Sequence, residues 1–250
     1  MSRKSSTGQK TAVITGASRG IGRAVALALA EQGYRLGLCC RKDIRKLREV
    51  ESRALNAGAP KVLVRQADMS VYEEGTEFAE AVLREFGHAD VLVNNAGMSI
   101  VGLFQDLTPQ DWRKITGTNI GSVYTMCHAL LPSMIHRKAG RIINISSVWG
   151  SVGGSCEVAY SATKGAVNAL TRALGKELAP SGIAVNAIAC GAIDTQMNAV
   201  FGKEALDGLA QEIPAGRMGR PEEVADTVLA LLEAPLYLTG QVITLDGGWT

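Results

Sequence analysis

Short apolar segments alternate with helix-length segments along almost the whole chain, and no other feature of the sequence constrains the fold as strongly. Several of the apolar segments are nearly continuous apolar runs, as expected for strands that helices cover on both faces. Strands that alternate with helices predict a parallel sheet with right-handed crossovers. The predicted strands are residues 11–15, 35–40, 61–66, 90–95, 141–147, 183–188 and 241–245.

The predicted helices lie between these strands, at residues 20–32, 43–56, 71–86, 108–138 with a break, 158–179 and 221–233. We therefore expect an α/β fold built on a doubly wound, mostly parallel, seven-stranded sheet with helices on both faces. Residues 189–220 form the one long irregular stretch in this pattern. Long loops in compact domains often carry function, so this stretch is a candidate substrate lid.

Length and composition limit the organisation of the chain. With 250 residues, 46% of them hydrophobic, we expect one domain over residues 11–250 after a flexible polar tail of residues 1–10. A formal net charge of +2 argues against a large nucleic-acid surface. No apolar run is long enough to span a bilayer, and the first ten residues lack the apolar core of a secretory signal. Five cysteines without a Cys-x-x-Cys pair or a zinc-like spacing predict reduced thiols, no metal and a cytoplasmic location.

A glycine-rich turn joins the first predicted strand to the first predicted helix. Its sequence, TGASRGIG at residues 15–22, allows a tight turn and a close approach of the backbone to a ligand. The N-terminus of the following helix offers free N–H groups and a positive dipole end to a pyrophosphate. The turn is therefore predicted to bind a dinucleotide through Gly16, Ser18, Arg19, Gly20, Ile21 and Gly22.

The end of the second predicted strand favours NADP(H) over NAD(H). Dinucleotide folds that bind NAD place an acidic residue there for the ribose 2′-OH, whereas this chain has Cys39-Cys40-Arg41-Lys42. A 2′-phosphate carries roughly two negative charges, and Arg41 and Arg19 can supply guanidinium groups to it. The alternative is that Arg41 belongs to a solvated basic helix face.

Tyr160 and Lys164 lie one helical turn apart in the sequence YSATK. A lysine cation, with the positive nicotinamide of an oxidised cofactor, is expected to lower the pKa of the tyrosine from about 10 and make it a proton donor and acceptor. Ser147 ends the fifth predicted strand, at the sheet edge where open α/β folds bind ligands, and its hydroxyl can donate to a substrate carbonyl. Alone, the Tyr/Lys pair also fits a surface helix, and Ser147 also fits a helix cap.

In this order and spacing, the motifs resemble the short-chain dehydrogenase/reductase family, of the single-domain type, over residues 11–248. The resemblance implies a Rossmann fold and NADP(H)-dependent reduction of a ketone to a secondary alcohol. It implies a catalytic tetrad of Asn119, Ser147, Tyr160 and Lys164, in which the lysine also binds the nicotinamide ribose. It further implies cofactor contacts at Asp68 and Met69 for the adenine, at Asn95, Ala96 and Gly97 of the NNAG motif, and at Gly191, Ile193 and Thr195 for the nicotinamide.

One position departs from the family pattern. Where the family has Pro-Gly after the sixth strand, this chain has Cys190-Gly191. Proline fixes φ and stiffens a turn, so its absence is expected to loosen the nicotinamide side of the site.

The resemblance leaves the substrate open. Much of the chain resembles 3-oxoacyl-acyl-carrier-protein reductases, whereas Trp149-Gly150, residues 155–160 and Trp249 resemble elongation factor P 5-aminopentanone reductases. Glu157 either stabilises the helix end before Tyr160 or attracts an amine-bearing substrate. Steroid or sugar alcohol dehydrogenases share the scaffold. An NADP(H)-sensing protein without activity is the alternative from another class, although all four tetrad positions are present.

The ketone is thus expected to be a small molecule or a group attached to a carrier or protein. The resemblance also implies a homotetramer, formed through the helices near residues 118–138 and 158–179. Small residues in the second helix permit close packing, but they fit packing against this chain's own sheet equally well.

Overall fold

The computed structural model describes residues 9–198 and 202–250. In these residues seven parallel strands form one sheet in the order β3-β2-β1-β4-β5-β6-β7. The predicted doubly wound sheet is therefore confirmed, and it is parallel throughout. Most of the predicted tail, residues 1–8, lies outside the described residues. The strands are β1 (Thr11–Ile14), β2 (Arg35–Cys40), β3 (Val62–Gln66), β4 (Val91–Asn94), β5 (Gly140–Ser147), β6 (Ile183–Cys190) and β7 (Val242–Leu245).

The helices that connect the strands are α1 (Gly20–Glu31), α2 (Ile44–Ala57), α3 (Tyr72–Phe86), α4 (Pro109–Thr116), α5 (Ser122–Arg137), α6 (Trp149–Val152), α7 (Val158–Leu178), α8 (Lys203–Glu212) and α9 (Pro221–Glu233). The predicted helical segments are present close to their predicted positions, and two further helices, α6 and α8, were not predicted. The predicted break within residues 108–138 is one turn of π-helix, Gly117–Gly121, between α4 and α5. In the described part of the chain, no helix has the length and apolarity needed to cross a membrane.

The prediction that residues 189–220 are irregular was wrong at two places. Strand β6 continues to Cys190, since residues 187–190 pair with both β5 and β7. Helix α8 then occupies Lys203–Glu212. Its apolar residues include Leu206 and Leu209, which line the large cavity described below rather than the core, so they gave no clear core-facing pattern.

Successive residues of the central strands point to opposite faces of the sheet, and each face has its own core. Ile14 packs with residues of α1 and α9, among them Leu29. Val13 packs on the other face with α3 and α5 residues such as Phe78 and Leu130. All five side chains are buried, and burial of each such side chain stabilises the fold by about 1.5–3 kcal/mol. This packing fixes the strand ends that carry the site.

The winding of the chain reverses between β1 and β4, which are neighbours at the centre of the sheet. Crossovers leave these two strands in opposite directions, so a crevice opens beyond their carboxyl ends, where α/β folds bind ligands. The Thr15 hydroxyl ties the two ends together, because it accepts hydrogen bonds from the backbone N–H groups of Asn95 (3.0 Å) and Ala96 (2.9 Å). The crevice is therefore held in a fixed shape by the sheet.

Candidate active site

A cavity of about 1090 Å³ runs along the carboxyl ends of the strands. It is lined by every predicted catalytic and cofactor-binding residue except Gly22 and Asn119, which lie behind its wall. The structure thus brings together residues that are up to 179 positions apart in the sequence, from Gly16 to Thr195. Among the described residues, no cluster of histidine, cysteine and carboxylate side chains could hold a metal ion.

The glycine-rich turn forms the floor of one end of this cavity. Gly16 and Gly20 have φ values of +67° and +54°, which favour glycine. A Cβ at Gly22 would lie 2.5 Å from the Gly16 carbonyl oxygen and 2.4 Å from Asn95 Nδ2. Asn95 Nδ2 itself donates to the carbonyl oxygens of Thr15 (2.9 Å) and Gly16 (3.1 Å). The absence of a side chain at Gly22 therefore allows the turn to pack closely. Asn95 of the NNAG motif holds the turn in place through its two hydrogen bonds.

The residues around this turn fit a phosphorylated dinucleotide. Helix α1 begins directly after the turn, and no side chain caps its first N–H groups, so they are available to an anion. Arg19 and Arg41 both line the cavity, and Arg19 Nη1 donates to Gln196 Oε1 at 3.1 Å. Asp68 lines the same end and uses Oδ1 to accept from the backbone and hydroxyl of Ser70.

Thr118 is a residue of the cavity wall that sequence reasoning missed. Thr118 lies in the π-turn, is 7% exposed and lines the cavity. Its Oγ1 is buried and has no hydrogen-bond partner within the described residues. Buried hydroxyl groups are nearly always hydrogen-bonded, so this oxygen is a local exception, and because it is shielded from solvent, other atoms of Thr118 line the cavity. No sequence signal marked Thr118, since a buried group without a hydrogen-bond partner can be identified only once the packing around it is known.

Ser147, Tyr160 and Lys164 converge at the other end of the cavity. Ser147 ends β5, and Tyr160 lies in the first turn of α7, close enough for the Ser147 hydroxyl to lower the pKa of the phenol. Lys164 lies one turn further along α7, with Nζ 5.6 Å from the centre of the Tyr160 ring. Lys164 Nζ donates to the Ile145 carbonyl oxygen at 2.8 Å. The predicted juxtaposition of serine, tyrosine and lysine is present in the structure.

The electrostatics of Tyr160 differ from the expectation drawn from the helix spacing. Burial raises the pKa of Tyr160 well above its usual value of 10, and the nearby Ser147 hydroxyl opposes this only in part. Burial also lowers the pKa of Lys164 to about 8. The expectation that Lys164 makes the phenol acidic is therefore not met by the protein alone, because burial raises the pKa of Tyr160 and only Ser147 acts to lower it. A phenol with a raised pKa is protonated at neutral pH, as a proton donor to a ketone must be.

Asn119 holds the backbone beside the catalytic residues. Its Oδ1 accepts from the Met98 N–H (2.8 Å), and its Nδ2 donates to the Met98 carbonyl (2.9 Å) and to Thr163 Oγ1 (3.0 Å). A Cβ at Gly97 would lie 3.6 Å from both Asn119 Oδ1 and Lys164 Nζ. Asn119 thus fixes the segment after β4 against α7, next to the lysine amine.

Cys190, the departure from the family pattern, is buried in regular strand structure. Its carbonyl oxygen accepts from the Val148 N–H at 3.0 Å, and the next N–H, of Gly191, donates to the Leu245 carbonyl at 2.9 Å. These two hydrogen bonds hold the backbone on both sides of the Cys190–Gly191 peptide, and the expectation that loss of proline loosens the turn stays a prediction. Burial raises the pKa of the Cys190 thiol to about 12, which describes a passive thiol rather than a reactive one.

Glu157 lies at the mouth of the cavity, immediately before α7. Its carboxylate accepts hydrogen bonds from the Ser99 hydroxyl and from Trp149 Nε1 (2.8 Å), and it makes no side-chain cap to the helix. Both donors are neutral, and no described lysine, arginine or histidine forms a salt bridge with it. The sequence identified Glu157, but not Ser99, which lies 58 positions away.

Comparisons with known proteins agree with this geometry. A family model described as short chain dehydrogenase matches residues 10–205. The chain is 39% identical to an uncharacterized oxidoreductase, YmfI, of Bacillus subtilis, over 96% of this chain and 98% of that protein. It is 36% identical to a 3-oxoacyl-[acyl-carrier-protein] reductase, FabG, of Staphylococcus epidermidis, again over 96% and 98%. A crystal structure of a single-substitution variant of actinorhodin polyketide ketoreductase with NADPH superposes with a TM-score of 0.91 at 34% identity, covering 96% of this chain and 97% of that one.

Proposed function

Because the chain belongs to the short-chain dehydrogenase family, we propose that it reduces a ketone to a secondary alcohol with NADPH. One observation carries this proposal: Ser147, Tyr160 and Lys164 meet at one end of a groove whose other end fits a phosphorylated dinucleotide. The 3-oxoacyl reductase and the ketoreductase similar to this chain support the reaction class.

The cofactor supplies the hydride, and the chain's own residues supply orientation and the proton. Ser147 and Tyr160 hold the carbonyl oxygen between two hydroxyl groups, and Tyr160 gives its proton to that oxygen. Lys164 binds the nicotinamide ribose with Nζ. The positive charge of this amine also lies beside the phenol, where negative charge develops as the proton is given up. The glycine turn binds the pyrophosphate, Asp68 and Met69 the adenine, and Ile193 and Thr195 the nicotinamide.

The substrate is proposed to be either a 3-oxoacyl thioester or the 5-aminopentanone group on elongation factor P. The test compares NADPH-dependent reduction of acetoacetyl thioesters with reduction of ketone-modified elongation factor P, followed by NADPH absorbance. Turnover of steroid or sugar ketones alone would favour the broader alternative of another alcohol dehydrogenase. Tight NADPH binding without turnover of any ketone would favour the NADP(H)-sensing alternative.

Arg41 is expected to determine the choice of NADPH over NADH. Arg41→Ala should raise the Kd of NADPH by roughly 10- to 100-fold, the worth of a lost charge-assisted hydrogen bond, and leave the Kd of NADH unchanged. Titration of cofactor fluorescence measures both constants. Lys46→Ala is the matched control, because Lys46 is exposed on α2 and pairs with Asp43 at 3.8 Å. Equal weakening of NADPH and NADH by the Arg41 substitution would contradict the assignment.

Glu157 offers a way to separate the two proposed substrates. Its unneutralised carboxylate at the cavity mouth favours a cationic ketone over a neutral one. Glu157→Gln should therefore raise KM several-fold for an amine-bearing ketone and leave KM for acetoacetyl thioesters nearly unchanged. Steady-state kinetics on both substrates measure this difference. An equal change for both would mean that the carboxylate acts only by holding Ser99 and Trp149.

A homotetramer in the cytoplasm remains the proposed state of the protein. Exposed apolar side chains along α5, including Tyr124 and Ile135, support the use of this helix in self-association.

A further inference from the structure

Two tryptophans from distant parts of the sequence form one wall of the cavity, here called the aromatic wall. The Trp149 and Trp249 rings lie 4.9 Å apart between centroids, with an interplanar angle of 57°. Both side chains line the cavity and are partly buried. Ring centroids at this distance are in contact, so the wall is continuous between the end of β5 and the segment that follows β7.

Trp149 is fixed in place by three contacts. Its indole Nε1 donates to Glu157 Oε2 at 2.8 Å, and its backbone N–H donates to Ser147 Oγ at 3.2 Å. One side of the ring lies against Gly154, where a Cβ would come within 3.0–3.1 Å of ring atoms. The indole is therefore held at the start of α7, in the cavity that Ser147 and Tyr160 also line.

Trp249 is fixed by the backbone around it. Gly247 and Gly248 have φ values of +69° and +85°, which reverse the chain after β7 and bring the tryptophan back over the cavity. The Asp246 carboxylate accepts from the Gly248 N–H at 2.9 Å and the Thr250 N–H at 2.8 Å. These hydrogen bonds hold the segment that carries Trp249 in one conformation.

We propose that Trp249 is a specificity-determining residue, and that the aromatic wall selects ketones with slender, unbranched substituents over fused-ring ketones. This inference rests on the proposed function, since it concerns the substrate of the same site. A carbonyl held by Ser147 and Tyr160 places its substituent next to the wall, because both tryptophans line the same cavity and the Trp149 indole is bonded to Glu157, three residues before Tyr160. Two flat rings in contact accept a methylene chain along their faces, whereas a fused ring system needs the volume that the Trp249 indole fills.

The test measures ketone binding separately from turnover. Acetoacetyl-N-acetylcysteamine and trans-1-decalone are titrated by calorimetry into the NADPH-loaded Tyr160→Phe chain, with and without Trp249→Ala. Removing the indole should raise the Kd of the thioester roughly tenfold, as for lost apolar contacts in a pocket, and should lower the Kd of the decalone. Tyr237→Ala, which removes an aromatic side chain that is 99% exposed and outside the cavity, is the control.

The possible outcomes distinguish a failure of the aromatic-wall proposal from a failure of the proposed reductase activity. Unchanged or equally changed Kd values for the two ketones would overturn the proposal, and so would a parent Tyr160→Phe chain that binds neither of them. If the wild-type chain binds the ketones with the expected selectivity but oxidises no NADPH, the proposed role of the aromatic wall is supported and the proposed reductase activity is refuted.

Discussion

Replacing Tyr160 with phenylalanine is expected to lower kcat/KM for ketone reduction by roughly 10³- to 10⁴-fold, because the substitution removes the proposed proton donor. The phenol lies beside Ser147, and burial holds its pKa well above 10, so the wild-type group is protonated throughout the neutral range. Phenylalanine keeps the ring and its packing. The rate of NADPH oxidation measures the loss.

Cofactor binding provides the control for this variant. The Kd of NADPH, measured by cofactor fluorescence, should change little, since the phenol oxygen serves the substrate. Tyr72→Phe, at an exposed tyrosine outside the cavity, should retain full activity. A Tyr160→Phe chain that retains more than about a tenth of wild-type kcat/KM would refute the assigned proton donor.

The pH dependence of the two directions follows from the same raised pKa of Tyr160. Reduction uses the protonated phenol, so Tyr160 does not limit it between about pH 6 and 9. Oxidation of the alcohol needs the phenolate, so this direction should become faster as pH rises across that range.

The sheet and the dinucleotide turn could be predicted from the sequence because local signals determine them. Strands such as residues 35–40 are apolar runs of the right length, and the turn at residues 15–22 lies directly between a strand and a helix. Helix α8 was missed although Leu206 and Leu209 lie at helical spacing, because Gly208 in its interior weakens the helical pattern. A helix-interior glycine costs about 1 kcal/mol relative to alanine.

Features that depend on burial or on distant contacts could not be read from spacing. The interval between Tyr160 and Lys164 correctly placed the two side chains together, but desolvation decided the directions of both pKa shifts. The contact between Trp149 and Trp249 joins distant parts of the sequence and depends on the positive φ values of two glycines. Thr118 gave no signal because its hydroxyl resembles any helix threonine until the surrounding packing is known.

Lys164→Met is expected to lower kcat/KM for reduction by roughly 100-fold at pH 7, because the cation that binds the ribose and faces the phenol is lost. Methionine has a similar length and is apolar, so it suits a site that is only 5% exposed. Burial lowers the wild-type pKa of Lys164 to about 8. Wild-type reduction should therefore fall as pH rises through that value, and the variant should show no such step.

The stability of the variant separates a catalytic loss from a folding defect. In the wild type, the folded pKa of about 8 lies below the ordinary value of 10.5, so the unfolded chain binds more protons between these values and stability rises with pH there. Below the folded pKa the charged amine destabilises the folded state, and methionine removes this cost. Thermal denaturation near neutral pH should give a Tm at or above that of the wild type. A variant that folds normally and still shows the wild-type step in its pH profile would assign that step to another group and leave Lys164 without its proposed role.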